Sequence, residues 1–177
     1  MACGPCLEMY DMLSEIKGHK LPAKLEVIAM DQDRLALENA RTRLEALLKE
    51  REDVCFSFQE DNIKRLIVGK DKDRDIYNEA DLVYTAGLFD YLSFRAANRL
   101  IHKLYSFLKP GGLLVVGNFG TFNPQRFIME YGSEWYLIHR SAEEIKEMAQ
   151  GLPENAKITV EKEPEGVNLF LNVRKPK

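Results

Sequence analysis

Two acidic positions and a glycine-bearing loop stand out as residues whose types and spacing could do chemistry. Asp31 closes the apolar run 25–30. A carboxylate there can accept from both hydroxyls of a ribose, which is how nucleotide-binding sheets use an acid at a strand end. Asp61 and Asn62 follow a second run, 54–58, and are placed to hydrogen-bond an adenine amino group. Each acid has a structural competitor, because either can cap a helix N-terminus, although Asp33 already supplies a cap beside Asp31. Ala2-Cys3-Gly4-Pro5-Cys6 admits several uses. A redox dithiol would gain thiolate character from the following helix, but it calls for a βα unit upstream where only two residues stand. A zinc site needs a second ligand pair, and Cys55 with three scattered histidines does not provide the spacing. A glycine loop at the mouth of a sheet, letting backbone approach a cofactor, fits best with the apolar run 25–30 and the acid at its end. The two cysteines are then structural, and an ordinary turn is the remaining alternative. A third loop, Thr85-Ala86-Gly87-Leu88, is built of small residues that leave room for a ligand, with Tyr84 and Phe89 beside it as packing or as aromatic walls.

The elements that must position these loops are legible in the apolar periodicity. Residues 81–85 form a short strand. Ala97, Leu100, Ile101, Leu104, Tyr105 and Leu108 then recur at three- and four-residue steps, the stripe of an amphipathic helix. Lys109-Pro110-Gly111-Gly112 stops that helix in a tight turn, and 113–116 follows as a continuous apolar strand of the kind buried on both faces of a parallel sheet. The whole is a βαβ unit. Upstream, helices are expected over 6–17 and after Asp33, with strands over 25–30 and 54–58 and a short helix over 63–68. The polar run 69–79 reads as a mobile surface loop. Residues 123–136 carry a dense set of aromatics. Ser141-Ala142-Glu143-Glu144 is a capping box opening a last helix with Ile145, Met148, Ala149 and Leu152, and strands over 157–161 and 167–174 form a closing antiparallel hairpin. The order is that of an α/β, doubly wound, mostly parallel Rossmann-like sheet with a C-terminal hairpin.

With 177 residues, 45% hydrophobic and 30% charged, the chain reads as one globular domain with a real core. A net charge of -3 argues against a nucleic-acid surface. No apolar run is long enough to span a bilayer, no signal peptide opens the chain, and an odd cysteine count suits a reducing compartment, so the expected location is the cytoplasm. A doubly wound sheet opens with a strand that feeds the first cofactor loop, and here the sequence begins inside that loop. The expectation is a fragment, or a late start, lacking most of a first strand that would lie between 25–30 and 81–85. These two would then be separated by a gap or share a borrowed strand.

The turn L-K-P-G-G before a buried strand resembles the late half of class I S-adenosylmethionine (SAM) dependent methyltransferases. The resemblance narrows over A-C-G-P-C-L-E-M, V-I-A-M-D-Q-D, Y-T-A-G-L-F-D-Y-L, L-K-P-G-G-L-L-V-V-G-N-F, M-E-Y with W-Y-L-I-H-R, and G-V-N-L-F. Together these are similar to bacterial methyltransferases related to the enzyme that makes 3-hydroxypalmitic acid methyl ester, a quorum-sensing signal. The resemblance implies SAM as cofactor and S-adenosylhomocysteine as product. It also implies cofactor contacts from Ala2, Cys3, Gly4, Asp31, Gln32, Asp61, Asn62, Thr85, Ala86, Gly87 and Leu88, and a small-molecule or fatty-acyl acceptor esterified at its carboxyl. An ionised carboxylate needs no general base, but it does need a cation and a dry pocket for its tail. Arg126 and Arg140 are candidates for the cation. Phe122, Phe127, Met129, Tyr131, Trp135 and Tyr136 are candidates for the pocket, unless they are plain core. Glu130 would suit an amine acceptor. No metal and no nucleic-acid partner is expected, and a homodimer is open. The alternatives from other classes are a non-catalytic SAM-binding module and a Cys3–Cys6 redox protein.

Overall fold

The computed structural model describes residues 1–16, 18–49, 51–68, 75–77 and 79–177. They form two compact units, Met1–Arg65 and Leu66–Lys177. Lys17 and most of the 69–79 loop lie outside the described residues. Within that loop Asp75–Tyr77 make a 3₁₀ turn that buries Tyr77.

In the first unit, α1 (Leu7–Glu15) precedes the strand β1 (Leu25–Asp31). Helix α2 (Arg34–Leu48) then leads to β2 (Val54–Glu60), which lies parallel to β1 with Asp31 opposite Glu60. Leu37, Ala40 and Leu44 fall three and four residues apart and are the buried stripe of α2; Ala40 and Leu44 pack with Leu13, Ala29 and Val54 in one cluster. Asp33 caps α2, its side chain accepting from the Leu35 and Ala36 N–H groups, as the sequence predicts. Strand β1 is not buried throughout: Ala29 and Met30 are buried, but Ile28 is 38% exposed.

The second unit begins in the short helix α3 (Ile63–Val68), which straddles the division, and continues with β3 (Ala80–Thr85), α4 (Phe94–Ser106) and β4 (Leu108–Phe119). The two strands are parallel, so the predicted βαβ unit is present, with Ala97, Leu100, Ile101, Leu104 and Tyr105 buried along α4. The predicted tight turn is folded differently. Leu108 belongs to β4, and Lys109–Gly112 bulge out of its ladder, since Ala80 pairs Leu108 while Leu82 already pairs Leu113. The bulge is held by Gly111 N–H bonds to the Lys175 and Pro176 carbonyls and by Lys175 N–H donating to Gly112 O. Helix α5 (Ala142–Glu147) opens on the full capping box of Ser141 and Glu144, and β5 (Lys157–Lys162) with β6 (Asn168–Arg174) make the closing antiparallel hairpin.

The strands form two sheets, and among the described residues no ladder spans the expected gap between 25–30 and 81–85. One has the order β1-β2 and the other β3-β4-β6-β5, and β1 and β3 share no ladder. No described helix is long and apolar enough to cross a membrane.

Candidate functional site

The carboxyl end of β1 gathers most of the first unit's candidates. Asp31 Oδ2 accepts from Gly4 N–H at 2.8 Å and Oδ1 from Asp33 N–H at 2.9 Å. Two backbone donors thus aim the carboxylate, and each oxygen keeps a lone pair for a further donor. The first loop is tied to the same strand end by Cys3 N–H donating to Met30 O, and the second by Asp61 N–H donating to Asp31 O, both at 3.0 Å. Gly4 has φ +50, in the left-handed region, and a Cβ built there would meet nothing within 4 Å. The backbone is therefore open to a ligand on that side.

Gln32 and Asn62 meet across the β1 and β2 loops, Asn62 Nδ2 donating to Gln32 Oε1 at 2.9 Å. Asn62 Oδ1 accepts from Lys64 N–H at 2.8 Å, so this side chain caps α3 and its oxygen is already partnered. For Asn62 the capping alternative holds. Asp61 is the stronger ligand candidate of the pair; it is mostly buried, bonded by Asn62 N–H, and 3.9 Å from Arg65.

In the second unit, Thr85 ends β3 fully buried, with its hydroxyl making no hydrogen bond. Ala86 abuts Gly117, where a Cβ would come within 3.4 Å of the Ala86 side chain. Gly87 has φ +70, and the space a Cβ would take is empty. Leu88 precedes a 3₁₀ turn, Phe89–Tyr91, in which Phe89 is fully buried, so packing accounts for it.

Two residues that sequence reasoning missed hold this loop. Asp90 is buried, and its Oδ1 accepts from Phe119 N–H at 2.7 Å. Burial pushes its carboxyl above the usual range, against the pull of that N–H and of Arg140. Asn118, buried in β4, donates to the Phe119 and Ile138 carbonyls. The available signal was a polar residue inside an otherwise apolar strand.

Arg140 is a correction. It is 4% exposed, and its guanidinium donates to the Phe89 carbonyl at 2.8 Å and to Asn118 Oδ1 and the Leu92 carbonyl. Burial lowers its basicity. With its donors committed to the loop it braces, it is not available to hold an acceptor. Arg126 is on the surface but paired with Glu130 at 2.7 Å, one helical turn on, so the two candidates for opposite acceptor types screen one another.

The aromatic segment is neither core nor an enclosed pocket. Phe122, Phe127, Tyr131, Trp135 and Tyr136 are 45–73% exposed, around a five-residue π-helix, Ile128–Gly132. Phe127 and Tyr131 pack with their rings tilted, centroids 4.8 Å apart, Trp135 Nε1 donates to Tyr91 Oη at 2.6 Å, and Phe119 meets Trp135 and His139 edge-on. The result is an open apolar face, with Met129 partly covered beneath it.

The chain resembles known proteins in fold. No protein-family model matches it, and no curated protein matches it. Solved structures match along its whole length. SibL, an S-adenosylmethionine-dependent methyltransferase, is 14% identical with TM-score 0.65, over 99% of this chain and 49% of SibL. A SAM-dependent methyltransferase from Methanosarcina mazei is 13% identical with TM-score 0.62, over 99% of this chain and 90% of that one. Human N-acetylserotonin methyltransferase, solved in complex with SAM, is 16% identical with TM-score 0.64, over 100% of this chain and 46% of that one. The fold is that of the SAM-dependent methyltransferases. The chain spans about half the length of SibL and of the human enzyme, and at these identities the likeness extends to the fold alone.

Proposed function

We propose that the chain binds SAM and serves methyl transfer to a small-molecule acceptor. The observation that carries this reading is the Asp31 carboxylate at the end of β1, aimed by the Gly4 and Asp33 N–H groups, on a fold shared with SAM-dependent methyltransferases. The residues fit the cofactor. Asp31 has acceptor capacity left for two ribose hydroxyls, Gly4 leaves its side of the loop open, and Asp61 is placed beside the strand end for the base. When bound, SAM supplies an electrophilic methyl group. The chain's own residues orient the cofactor and the acceptor.

For the acceptor we propose an apolar carboxylic acid, giving a methyl ester, in keeping with the sequence resemblance to methyl ester-forming enzymes. The open face of Phe122, Phe127, Tyr131 and Trp135 supports an apolar tail, and Arg126 is the cation within the same segment. Arg126 is held by Glu130 through Nε, so a carboxylate would share the guanidinium with that pair.

Calorimetry of SAM with the full chain tests the cofactor reading. Asp31→Ala should weaken SAM by roughly 1–3 kcal/mol through loss of charge-assisted hydrogen bonds. Equal affinity in the variant would remove Asp31 from the site.

A further inference from the structure

One motif is not absorbed by methyl transfer: the two cysteines of the first loop. Cys6 N–H donates to the Cys3 carbonyl at 3.0 Å, so residues 3–6 form a hydrogen-bonded turn with Gly4 and Pro5 at its centre. Such a turn brings its first and fourth Cα atoms within about 7 Å, close to the upper end of the separations a disulfide spans. The side chains share one cluster, Cys6 buried in it and Cys3 packed against it, with the Cys3 thiol donating to the Gly4 carbonyl at 3.5 Å. Cys6 sits at the N-cap of the nine-residue α1 in a left-handed conformation, φ 52, and Ala2 is left-handed too, φ 48. Side chains other than glycine rarely hold this conformation, so the loop is constrained on both flanks of the pair. Cys6 is 2% exposed, whereas Cys3 is partly open.

From this convergence we infer that Cys3 and Cys6 are a modification site, closing reversibly to an intrachain disulfide on reaction with a low-molecular-weight disulfide. The neighbouring Cys3 thiol draws Cys6 below its usual range, while Cys6 and burial push Cys3 up. The more open Cys3 sulfur gives its proton to solvent and attacks the small disulfide as the thiolate. The reagent's S–S bond breaks, releasing one small thiolate and leaving a mixed disulfide on Cys3. Cys6 then gives its proton to the released thiolate and attacks the Cys3 sulfur, expelling the second small thiolate. The pair loses two electrons and the reagent gains them, leaving one thiol and one thiolate in solution.

The bridge would fix the loop whose Gly4 N–H aims Asp31, so oxidation state and cofactor affinity are coupled. This second clause rests on the SAM reading. The test is to equilibrate the full chain in glutathione buffers of graded thiol-to-disulfide ratio, alkylate the free thiols, and read peptide masses. The expected result is loss of two hydrogens confined to the peptide holding Cys3 and Cys6, reversed by dithiothreitol. The exposed Cys55 should take up glutathione or remain alkylated. Cys3→Ser and Cys6→Ser should each abolish the mass loss. Both cysteines alkylating freely in the most oxidising buffer, or stable glutathione adducts that never resolve to the bridge, would overturn the site. SAM titration of the two forms should show affinities differing by about 5-fold or more. Equal affinities would overturn the coupling, and no SAM binding by either form would sink the cofactor reading while leaving the disulfide standing.

Discussion

At the scale of single residues, sequence patterning located charge but not its burial. Asp31 stands out as a candidate because Asp33 is expected to cap the helix; the structure gives Asp33 that cap, and Asp31 accepts from the Gly4 and Asp33 N–H groups. Arg140 was not legible, since nothing in the string separates an arginine that meets a ligand from one folded over backbone carbonyls. Its partners are contributed by Phe89, Leu92 and Asn118, distant in sequence and brought together only by the fold. Removing it leaves carbonyl groups without donors and the buried Asp90 without its counter-charge. Arg140→Ala should cost about 3–5 kcal/mol, lowering the melting temperature by roughly 10 °C. Thermal unfolding unchanged by the substitution would return Arg140 to the set of acceptor anchors.

At the scale of elements, caps, stripes and the hairpin were readable from local rules, because each is decided within a few residues. The Lys109–Gly112 segment shows where that locality ends. Proline and paired glycines predict a turn after a helix, yet the carbonyls and N–H groups of the C-terminal tail draw the segment into a bulge of β4. The same holds for 123–136, whose aromatic density reads equally as core or as pocket until neighbouring elements leave it exposed. Gly112 records the crowding at the bulge. A Cβ there would lie 2.8 Å from the Ala80 carbonyl oxygen and 2.9 Å from that of Lys109, both backbone atoms. Gly112→Ala should therefore destabilise the second unit by about 1–3 kcal/mol. Gly132→Ala is the matched control: the new methyl would meet only Ile128 at an ordinary 3.6 Å, and stability should hold or rise by up to about 1 kcal/mol. Equal losses from the two in urea denaturation would mean that the bulge is not set by this contact.

At the scale of the whole molecule, the two units carry carboxylates that answer acid in opposite directions. In the first, Arg51 makes two bonds to Asp53 and reaches the Ile16 and His19 carbonyls, while Leu21 N–H donates to Asp53 Oδ2 at 2.7 Å. The Arg51 guanidinium, followed by that N–H, holds the Asp53 carboxyl down to about 2. Asp53 is ionised in the folded state at pH values where the unfolded chain, near ~3.9, is already taking up a proton. Its contribution is thus present above about pH 4 and is lost as pH falls toward ~2. Asp90 in the second unit is raised by burial, so its contribution is complete below about pH 4 and is lost as pH rises through its folded value. Acidification should accordingly loosen the linker before β1 while proton uptake at Asp90 supports the unit that holds Trp135, the single tryptophan. Hydrogen exchange corrected for intrinsic rates should show the Leu21 amide losing protection between about pH 4 and about pH 2, with Trp135 fluorescence changing only at lower pH. Arg51→Gln should bring the Leu21 loss to higher pH, because the main cause of the Asp53 shift is gone. Protection at Leu21 that persists to about pH 2, or that is indifferent to Arg51, would show that this ion pair does not hold the linker.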